Sequence, residues 1–219
     1  MGIEVDLLEN YPKPKRNTSK RASEKNEEIR KIARKFDFEF FDSERKYGYG
    51  GFSYNEKFWG PVIPTFKNYW NLKSLSSILD VGCAKGFMIY DFIKQIPGIN
   101  IKGIDISEYA IKNCKNEVKN NVSVGNAKSL AFKDNSFDYA ISINTIHNLD
   151  LNECKQALRE IQRVSKISSF ITVDAFNTKE EEKRMYEWNL TAKTIMSVRD
   201  WKKIFEEVGY TGDYYWFIP

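Results

Sequence analysis

Residues 78–87 constrain the fold of this chain more than any other segment. They read Ile-Leu-Asp-Val-Gly-Cys-Ala-Lys-Gly-Phe, an apolar run that leads into a turn of small residues, and apolar residues at helical spacing follow. Small residues at Gly82, Ala84 and Gly86 let a ligand approach the backbone, and the start of a helix offers free N–H groups. A dinucleotide-binding turn has the spacing G-x-G-x-x-G, so this spacing disfavours NAD.

From residue 77 onward, short β-type runs alternate with helical patterns. We predict strands at 77–81, 99–104, 122–125, 137–143 and 169–174. Later helices are predicted to open at the capping box Asp150/Glu153, at Thr178 and at Ser197, and the last is predicted to stop at Gly209. The alternation predicts an α/β fold of Rossmann-like, doubly wound type, with a mostly parallel sheet and helices on both faces.

The composition sets limits on function. The 34 basic and 30 acidic residues give a net charge of +4, which is too even to indicate nucleic-acid binding. The three cysteines, Cys83, Cys114 and Cys154, have no zinc-type spacing, so we predict no metal site and no disulfide framework. No apolar run is long enough for a signal peptide or a membrane span, so we expect a cytoplasmic protein without membrane contact.

We divide the chain into an N-terminal extension, residues 1–60, and a ligand-binding domain, residues 61–219. Residues 11–21 carry five basic side chains and no acidic one, which predicts an extended arm. This arm is either a solvated tail or a clamp for a phosphate or carboxylate of a substrate. A helix is predicted behind it, with Ser23 as the N-cap.

Residues 47–60 combine glycines with aromatic side chains. Glycines make the backbone mobile and aromatic rings supply apolar surface, so the segment suits a lid that presents Tyr47, Tyr49, Phe52 and Tyr54 to a substrate. A surface loop whose aromatic rings pack against the fold explains the pattern equally well.

With Asp80 before the small-residue turn, residues 75–210 resemble class I S-adenosylmethionine-dependent methyltransferases. The resemblance implies that Asp80 orients the amino group of S-adenosylmethionine, that Gly82 and Gly86 allow close contact with the ligand, and that Cys83 contributes its backbone. Ala84 departs from the glycine that many members carry, but alanine is still small.

Two further positions complete the implied cofactor site. Asp105, followed by Ile106, ends the second predicted strand, where a carboxylate can accept hydrogen bonds from both ribose hydroxyls. Asn126 and Ala127 follow the third strand, where related enzymes often place an acidic residue beside an alanine to hold the adenine amino group.

The fourth predicted strand leads into Asn144 and His147, at the sheet edge where the transferable methyl group is expected. His147 is the only histidine of the chain and is our predicted general base. Asn144 is predicted to position the cofactor or the acceptor. Asp174, at the end of the fifth strand, is an alternative base or acceptor contact, or else a helix-capping residue.

We therefore predict a methyltransferase whose partner is a small-molecule methyl acceptor. The fourth strand lacks the Asn-Pro-Pro-Tyr and Pro-Cys motifs of nucleic-acid methyltransferases. Residues 47–52 and 143–149 resemble bacterial methyltransferases of surface-sugar biosynthesis, so the acceptor of an O- or N-methyl group is expected to be a sugar or sugar derivative. A non-catalytic S-adenosylmethionine-binding module is the alternative, followed by a protein or RNA methyltransferase.

The chain ends in a single aromatic strand pattern where the family usually has an antiparallel pair. An exposed apolar edge strand invites pairing, so either the N-terminal extension covers it or two chains associate there. We predict a homodimer.

Overall fold

The computed structural model describes residues 2–219, and its strands form one sheet. Every strand pairing in this range is parallel. The strand order is β3-β2-β1-β4-β5-β6, and β7 also pairs with β5. The strands are β1 (Ser77–Val81), β2 (Asn100–Asp105), β3 (Val122–Val124), β4 (Phe137–Ile143), β5 (Ser165–Phe176), β6 (Met196–Ser197) and β7 (Asp213–Phe217).

The five predicted strands are confirmed, and the fifth is longer than predicted. It begins at Ser165 rather than Ser169, because its first residues pair with β4 although they are polar. Phe137 of β4 lies opposite Ser165, so the partner strand supplies the pairing that the local pattern does not indicate.

The helices cover the sheet and build the N-terminal segment. They are α1 (Thr18–Ser23), α2 (Glu27–Ala33), α3 (Phe38–Asp42), α4 (Glu56–Trp59), α5 (Ile63–Tyr69), α6 (Phe87–Gln95), α7 (Glu108–Lys112), α8 (Leu151–Val164), α9 (Lys179–Trp188) and α10 (Val198–Val208). Single 3-10 turns lie at Asn116–Val118 and Ile146–Asn148.

The later caps are as predicted and the early ones are not. Capping boxes open α8 at Asp150 and α9 at Thr178, and the α10 helix ends at Gly209 in the left-handed conformation. Ser23, the predicted N-cap, is instead the last residue of α1. The cap of α2 is Asn26, whose side chain accepts a hydrogen bond from Ile29 N at 2.9 Å.

The predicted extended arm is therefore wrong for its last four residues, which belong to α1. The arm is solvated only in part, because Lys13, Lys15 and Lys20 are exposed but Arg21 is not. Arg21 is 5% exposed and donates to the carbonyl oxygens of Arg45 and Gly48. These bonds pair the two terminal nitrogens of the guanidinium, while the buried Nε has no partner within residues 2–219. At Arg21 the basic pattern therefore reflects packing.

A hydrophobic core lies on each face of the sheet. One core contains the apolar face of α8, including Cys154 and Ile161, and Trp201 of α10. The other joins α5 and α6 to β1 and includes Leu7, which is 1% exposed. The N-terminal segment is thus part of the main core, and the boundary drawn at residue 60 cuts through one packed body.

The edge of β7 is covered within the chain. Val5 N donates to Tyr214 O at 3.0 Å, and Tyr214 N donates to Ile3 O at 3.1 Å. The extension, the first of the two alternatives, therefore pairs with this strand, and the predicted homodimer loses the exposed edge on which it was based. No helix within residues 2–219 has the length and apolarity needed to cross a bilayer.

Candidate functional site

A cavity of about 660 Å³ opens at the carboxyl ends of β1, β4 and β5. Ligands of open parallel sheets bind at this edge. Half of the predicted site residues line the cavity: Asp80, Gly82, Cys83, Ala84, Asn144, His147, Asp174 and Tyr49. The other half do not: Gly86, Asp105, Ile106, Asn126, Ala127, Tyr47, Phe52 and Tyr54.

Asp80 is the buried acid at the end of β1. It is only 3% exposed, yet it lines the cavity. Burial, followed by the charge of Asp105, raises the pKa of Asp80 to about 8, and no hydrogen bond from residues 2–219 opposes the shift. An unpartnered buried carboxyl group is stabilised by a cationic ligand.

The two glycines of the turn serve different purposes. Gly82 has a φ of +90°, and a Cβ there would lie 2.1 Å from the side chain of Thr145. Gly86 has a φ of +74°, and a Cβ would lie 2.7 Å from Val118. Gly86 does not line the cavity, and its backbone conformation and packing account for a glycine there, so the ligand contact predicted for it stays a prediction.

The turn is held in place by hydrogen bonds within the protein. Asp105 accepts bonds from Ala84 N at 2.8 Å through Oδ2 and from Ser107 N at 2.9 Å through Oδ1. Cys83 N donates to Ile104 O, and Cys83 O accepts from Gly86 N. The Cys83 backbone groups therefore bind the protein itself, and because Cys83 also lines the cavity its contact with a ligand stays a prediction.

The residues predicted to bind the nucleoside do not line the cavity. The Asp105 carboxylate fixes the turn, and burial raises its pKa. Ile106 is 55% exposed, and Ala127 packs on a core cluster. The Asn126 side-chain oxygen, predicted to bind adenine, accepts a hydrogen bond from Lys128 N at 3.0 Å. Direct nucleoside contacts by these residues stay a prediction.

His147 and Asp174 lie side by side at the ends of β4 and β5. The backbone N–H of Asp174 donates to His147 Nδ1 at 2.9 Å, and burial lowers the pKa of His147 to about 3. The ring is therefore neutral, with its proton on Nε2. Since Nδ1 is already bonded and Nε2 carries the proton, His147 is placed to donate a hydrogen bond rather than to act as the predicted base.

Asp174 has a pKa suited to a base at neutral pH, which His147 lacks. Its carboxyl group is 4% exposed, and burial raises its pKa to about 7. Oδ1 lies 3.6 Å from His147 Nδ1, beyond hydrogen-bond distance, and the neutral ring forms no ion pair with it. A cavity-lining carboxyl with a pKa near neutrality is suited to proton transfer, so the geometry favours the alternative base.

Asn144 is held in a left-handed conformation, with a φ of +50°. Its side-chain oxygen accepts a hydrogen bond from Thr172 Oγ1 at 2.9 Å, and its backbone N–H also binds Thr172. The side-chain amide N–H groups therefore remain to donate to a ligand in the cavity.

The aromatic segment after α3 is anchored rather than free. Tyr54 donates to Asp91 of α6 at 2.6 Å, and Phe52 O accepts a hydrogen bond from Lys85 at 2.8 Å. Tyr49 does reach the cavity, and its hydroxyl accepts a hydrogen bond from Leu190 N at 2.6 Å. One of the four predicted lid aromatics therefore lines the cavity, while Tyr54 packs on α6 as the surface-loop alternative requires.

Several cavity residues were not predicted from the sequence as site residues: Tyr11, Arg16, Trp59, Lys85, Tyr215 and Phe217. Arg16 lies in the basic arm, so its charge was visible but its position was not. Trp188 ends α9 and Phe217 ends β7, and the tertiary fold brings them together. Local sequence patterns do not encode such contacts.

Comparison with known proteins agrees with this geometry. A family model described as a methyltransferase domain matches residues 72–209. The uncharacterized protein MJ1252 of Methanocaldococcus jannaschii is 40% identical over 98 residues, which are 43% of this chain and 35% of that protein. Norajmaline N-methyltransferase of Rauvolfia serpentina is 32% identical over 100 residues, or 42% of this chain and 33% of that enzyme.

The chain thus spans about a third of either relative. The crystal structure of a SAM-dependent methyltransferase from Archaeoglobus fulgidus has the same fold, with a TM-score of 0.53 at 24% identity over 68% of this chain and 67% of that one. The fold is that of class I methyltransferases, which implies binding of S-adenosylmethionine. Because the family model matches more than half of the 219 residues, the chain belongs to the methyltransferase domain family.

Proposed function

We propose that this chain is an S-adenosylmethionine-dependent methyltransferase that acts on an O or N atom of a small molecule. The observation that carries the proposal is the Asp80 carboxyl group, which is buried, unpartnered within residues 2–219 and directed to the cavity beside Gly82. A positive partner would stabilise the ionised form of a buried acid in that position, and the ammonium group of S-adenosylmethionine is such a partner.

The residues present fit this cofactor. Asp80 would hold the ammonium group, and the free amide N–H groups of Asn144 would donate to the methionine portion. Asp105 and Asn126 would be reached by the nucleoside at the outer end of the turn. When bound, S-adenosylmethionine supplies a methyl group made electrophilic by its positively charged sulfur.

The chain supplies acceptor binding and proton removal. Asp174 in its ionised form would take the acceptor's proton, and its pKa of about 7 makes that form available at neutral pH. His147 would orient the acceptor by donating from Nε2, since Nδ1 is held by the Asp174 backbone. Aromatic walls from Tyr49, Trp59 and Trp188 would exclude water from the reacting atoms.

A small acceptor suits the shape of the site. The cavity volume of about 660 Å³ lies in the range of small-molecule pockets. Its walls include Tyr11, Trp59 and Tyr215. Aromatic rings of this kind offer flat apolar surface to the faces of a sugar or a similar ring, which supports the sugar-derivative acceptor as part of the proposal.

Isothermal titration with S-adenosylmethionine and S-adenosylhomocysteine tests the proposal. Wild-type protein is expected to bind both, and Asp80→Asn is expected to weaken S-adenosylmethionine binding by about tenfold or more, because it removes a charge-assisted bond. Asp91→Asn is the matched control, since Asp91 is equally buried but lies outside the cavity. If folded wild-type protein binds neither compound, the proposed methyltransferase function is refuted.

A further inference from the structure

Arg16 occupies an unusual position for a surface cation. Its guanidinium carbon lies 4.6 Å from the ring centre of Phe217 and 5.3 Å from that of Trp188. All three side chains line the cavity. Two aromatic rings thus fix the guanidinium in the cavity wall by cation–π contacts.

The other cationic side chains of the cavity wall form ion pairs with acidic residues. Among residues 2–219, the cavity-lining cations are Lys13, Arg16 and Lys85. Lys13 pairs with Asp6 at 2.7 Å, and Lys85 pairs with Asp42. Arg16 has neither an ion pair nor a hydrogen bond within these residues, although burial lowers its pKa. Five N–H donors of one half-buried group are therefore available to a ligand.

Arg16 lies on the acceptor side of the cavity. Phe217, the ring beneath it, pairs with Asp174 in the register of β7 and β5. Asp80 is on β1, and the order β1-β4-β5-β7 places three strand spacings between the two sites. At about 4.8 Å per spacing this is about 14 Å. Arg16 is therefore near Asp174, the proposed base, and far from Asp80, which would hold the cofactor's amino acid portion.

We propose that Arg16 is an anion-binding residue for the methyl acceptor, and that the acceptor carries a carboxylate or phosphate group. The proposal rests on the proposed function, because it assigns the Arg16 side of the cavity to the acceptor. The planar guanidinium matches either oxyanion with two parallel N–H···O bonds. The rings of Trp188 and Phe217 hold the fork in place and shield these bonds from water, which strengthens them.

The first test follows the indole N–H signal of Trp188 by ¹⁵N NMR. The chain has five tryptophans, and Trp188→Phe identifies the signal. Sodium phosphate and sodium acetate are titrated separately at constant ionic strength. We expect a saturable shift with at least one of them, and the stronger of the two indicates whether a phosphate or a carboxylate is preferred.

Variants connect the shift to Arg16. Arg16→Gln is expected to weaken anion binding by about tenfold or more, because charge-assisted hydrogen bonds are lost. Lys15→Gln removes the same charge from the neighbouring exposed position and is expected to leave the anion affinity unchanged. An unsaturable shift in the wild-type protein, or equal affinity in a folded Arg16→Gln variant, would overturn the proposal.

A second titration separates acceptor from cofactor. Arg16→Gln is expected to bind S-adenosylmethionine within about twofold of wild type, because distant sites act independently. A loss of about tenfold or more would assign Arg16 to the cofactor carboxylate and reject the acceptor role. If wild-type protein binds the anion through Arg16 but not S-adenosylmethionine, the proposed function fails and the acceptor assignment falls with it, while the anion site itself is demonstrated.

Discussion

Ala84 adopts the left-handed conformation, with a φ of +49°, in the turn after β1. A Cβ disfavours that conformation by roughly 1–2 kcal/mol, whereas glycine adopts it freely but loses more chain entropy on folding. This conformation explains in physical terms why many members of the family carry glycine where this chain has alanine.

We predict that Ala84→Gly raises the free energy of unfolding by roughly 0.5–1 kcal/mol. Urea denaturation followed by circular dichroism measures the change. Gly82→Ala is the opposing variant in the same turn, and it is expected to destabilise the protein because the new Cβ would meet Thr145. A destabilised Ala84→Gly variant would show that Ala84 is not strained.

The pair His147 and Asp174 leads to a pH prediction. A carboxylate base with a pKa of about 7 gives a rate that rises with pH up to neutrality and then levels off. An imidazole with a pKa of about 3 would already be deprotonated at pH 5 and would give a flat profile. The activity is therefore expected to rise with pH as Asp174 loses its proton.

Once a methyl acceptor is identified, kcat/KM measured from pH 5 to 9 distinguishes Asp174 from His147 as the base. We expect the rising limb in wild type, and a loss of about 10²–10⁴-fold in Asp174→Asn. S-adenosylmethionine affinity, measured in parallel, is expected to survive that substitution. A wild-type profile that stays flat across this range would restore His147 as the base.

At the scale of elements, α1 and α9 are joined by one lysine. Lys25, just after α1, donates to the carbonyl oxygens of Tyr186, Glu187 and Asn189 at 2.5–2.7 Å. The ammonium group has three protons, and each meets a carbonyl at the carboxyl end of α9, where the helix dipole favours a positive charge.

We predict that Lys25→Met lowers the free energy of unfolding by about 1–3 kcal/mol and loosens the contact between α1 and α9. Hydrogen exchange of residues 18–26 measures the local effect. Lys20→Met is the control, because Lys20 is exposed and its ion pair with Glu24 spans 3.7 Å. Equal exchange in both variants would mean that Lys25 does not hold the helices together.

The elements of the C-terminal half were predictable because their signals are local. A capping box such as Asp150/Glu153 involves residues three apart, and strand composition is read from consecutive residues. In the N-terminal part the helix predicted behind the arm is confirmed as α2, but its cap at Asn26 was not predicted. The short helix α1, capped by Asn17, was not predicted either, because it carries little apolar periodicity. The turn at Gly82 was found for the same local reason.

The cavity wall was predictable only in part. Asp80 and Asp174 lie near the carboxyl ends of β1 and β5, and Asn144 follows β4. Parallel strands bring these ends to one edge, so the proximity of the three residues could be inferred. Arg16, Trp188 and Phe217 meet only through tertiary packing. The bond between Asp174 N and His147 Nδ1 depends on the register of neighbouring strands, so the sequence did not reveal that His147 lacks a free basic nitrogen.

At the scale of the whole molecule, the N-terminal segment is part of the core. Leu7 is 1% exposed and belongs to the same hydrophobic cluster as Ile78 and Phe92. Removing a buried leucine side chain leaves a cavity in addition to the lost burial.

We predict that Leu7→Ala lowers the free energy of unfolding by about 2–5 kcal/mol in one cooperative urea transition. Ile3→Ala, at a side chain that is 59% exposed, is expected to change it by less than about 0.5 kcal/mol. Two separate transitions, or a neutral Leu7→Ala, would support an independent extension with its boundary near residue 60.

The pairing of Ile3 and Val5 with Tyr214 has a consequence for synthesis on the ribosome. Residues near Ile3 leave the ribosome early, but their partner strand follows more than 200 residues later, as does Phe217 beneath Arg16. Closing so long a loop is slow, and Ile3 and Val5 must wait for β7 before they can pair. Residues 78–148 are translated well before that. The turn at residues 82–86 can therefore form while the part of the cavity wall that contains Phe217 is still missing. A ribosome-stalled chain that ends before β7 would therefore present apolar surface to chaperones.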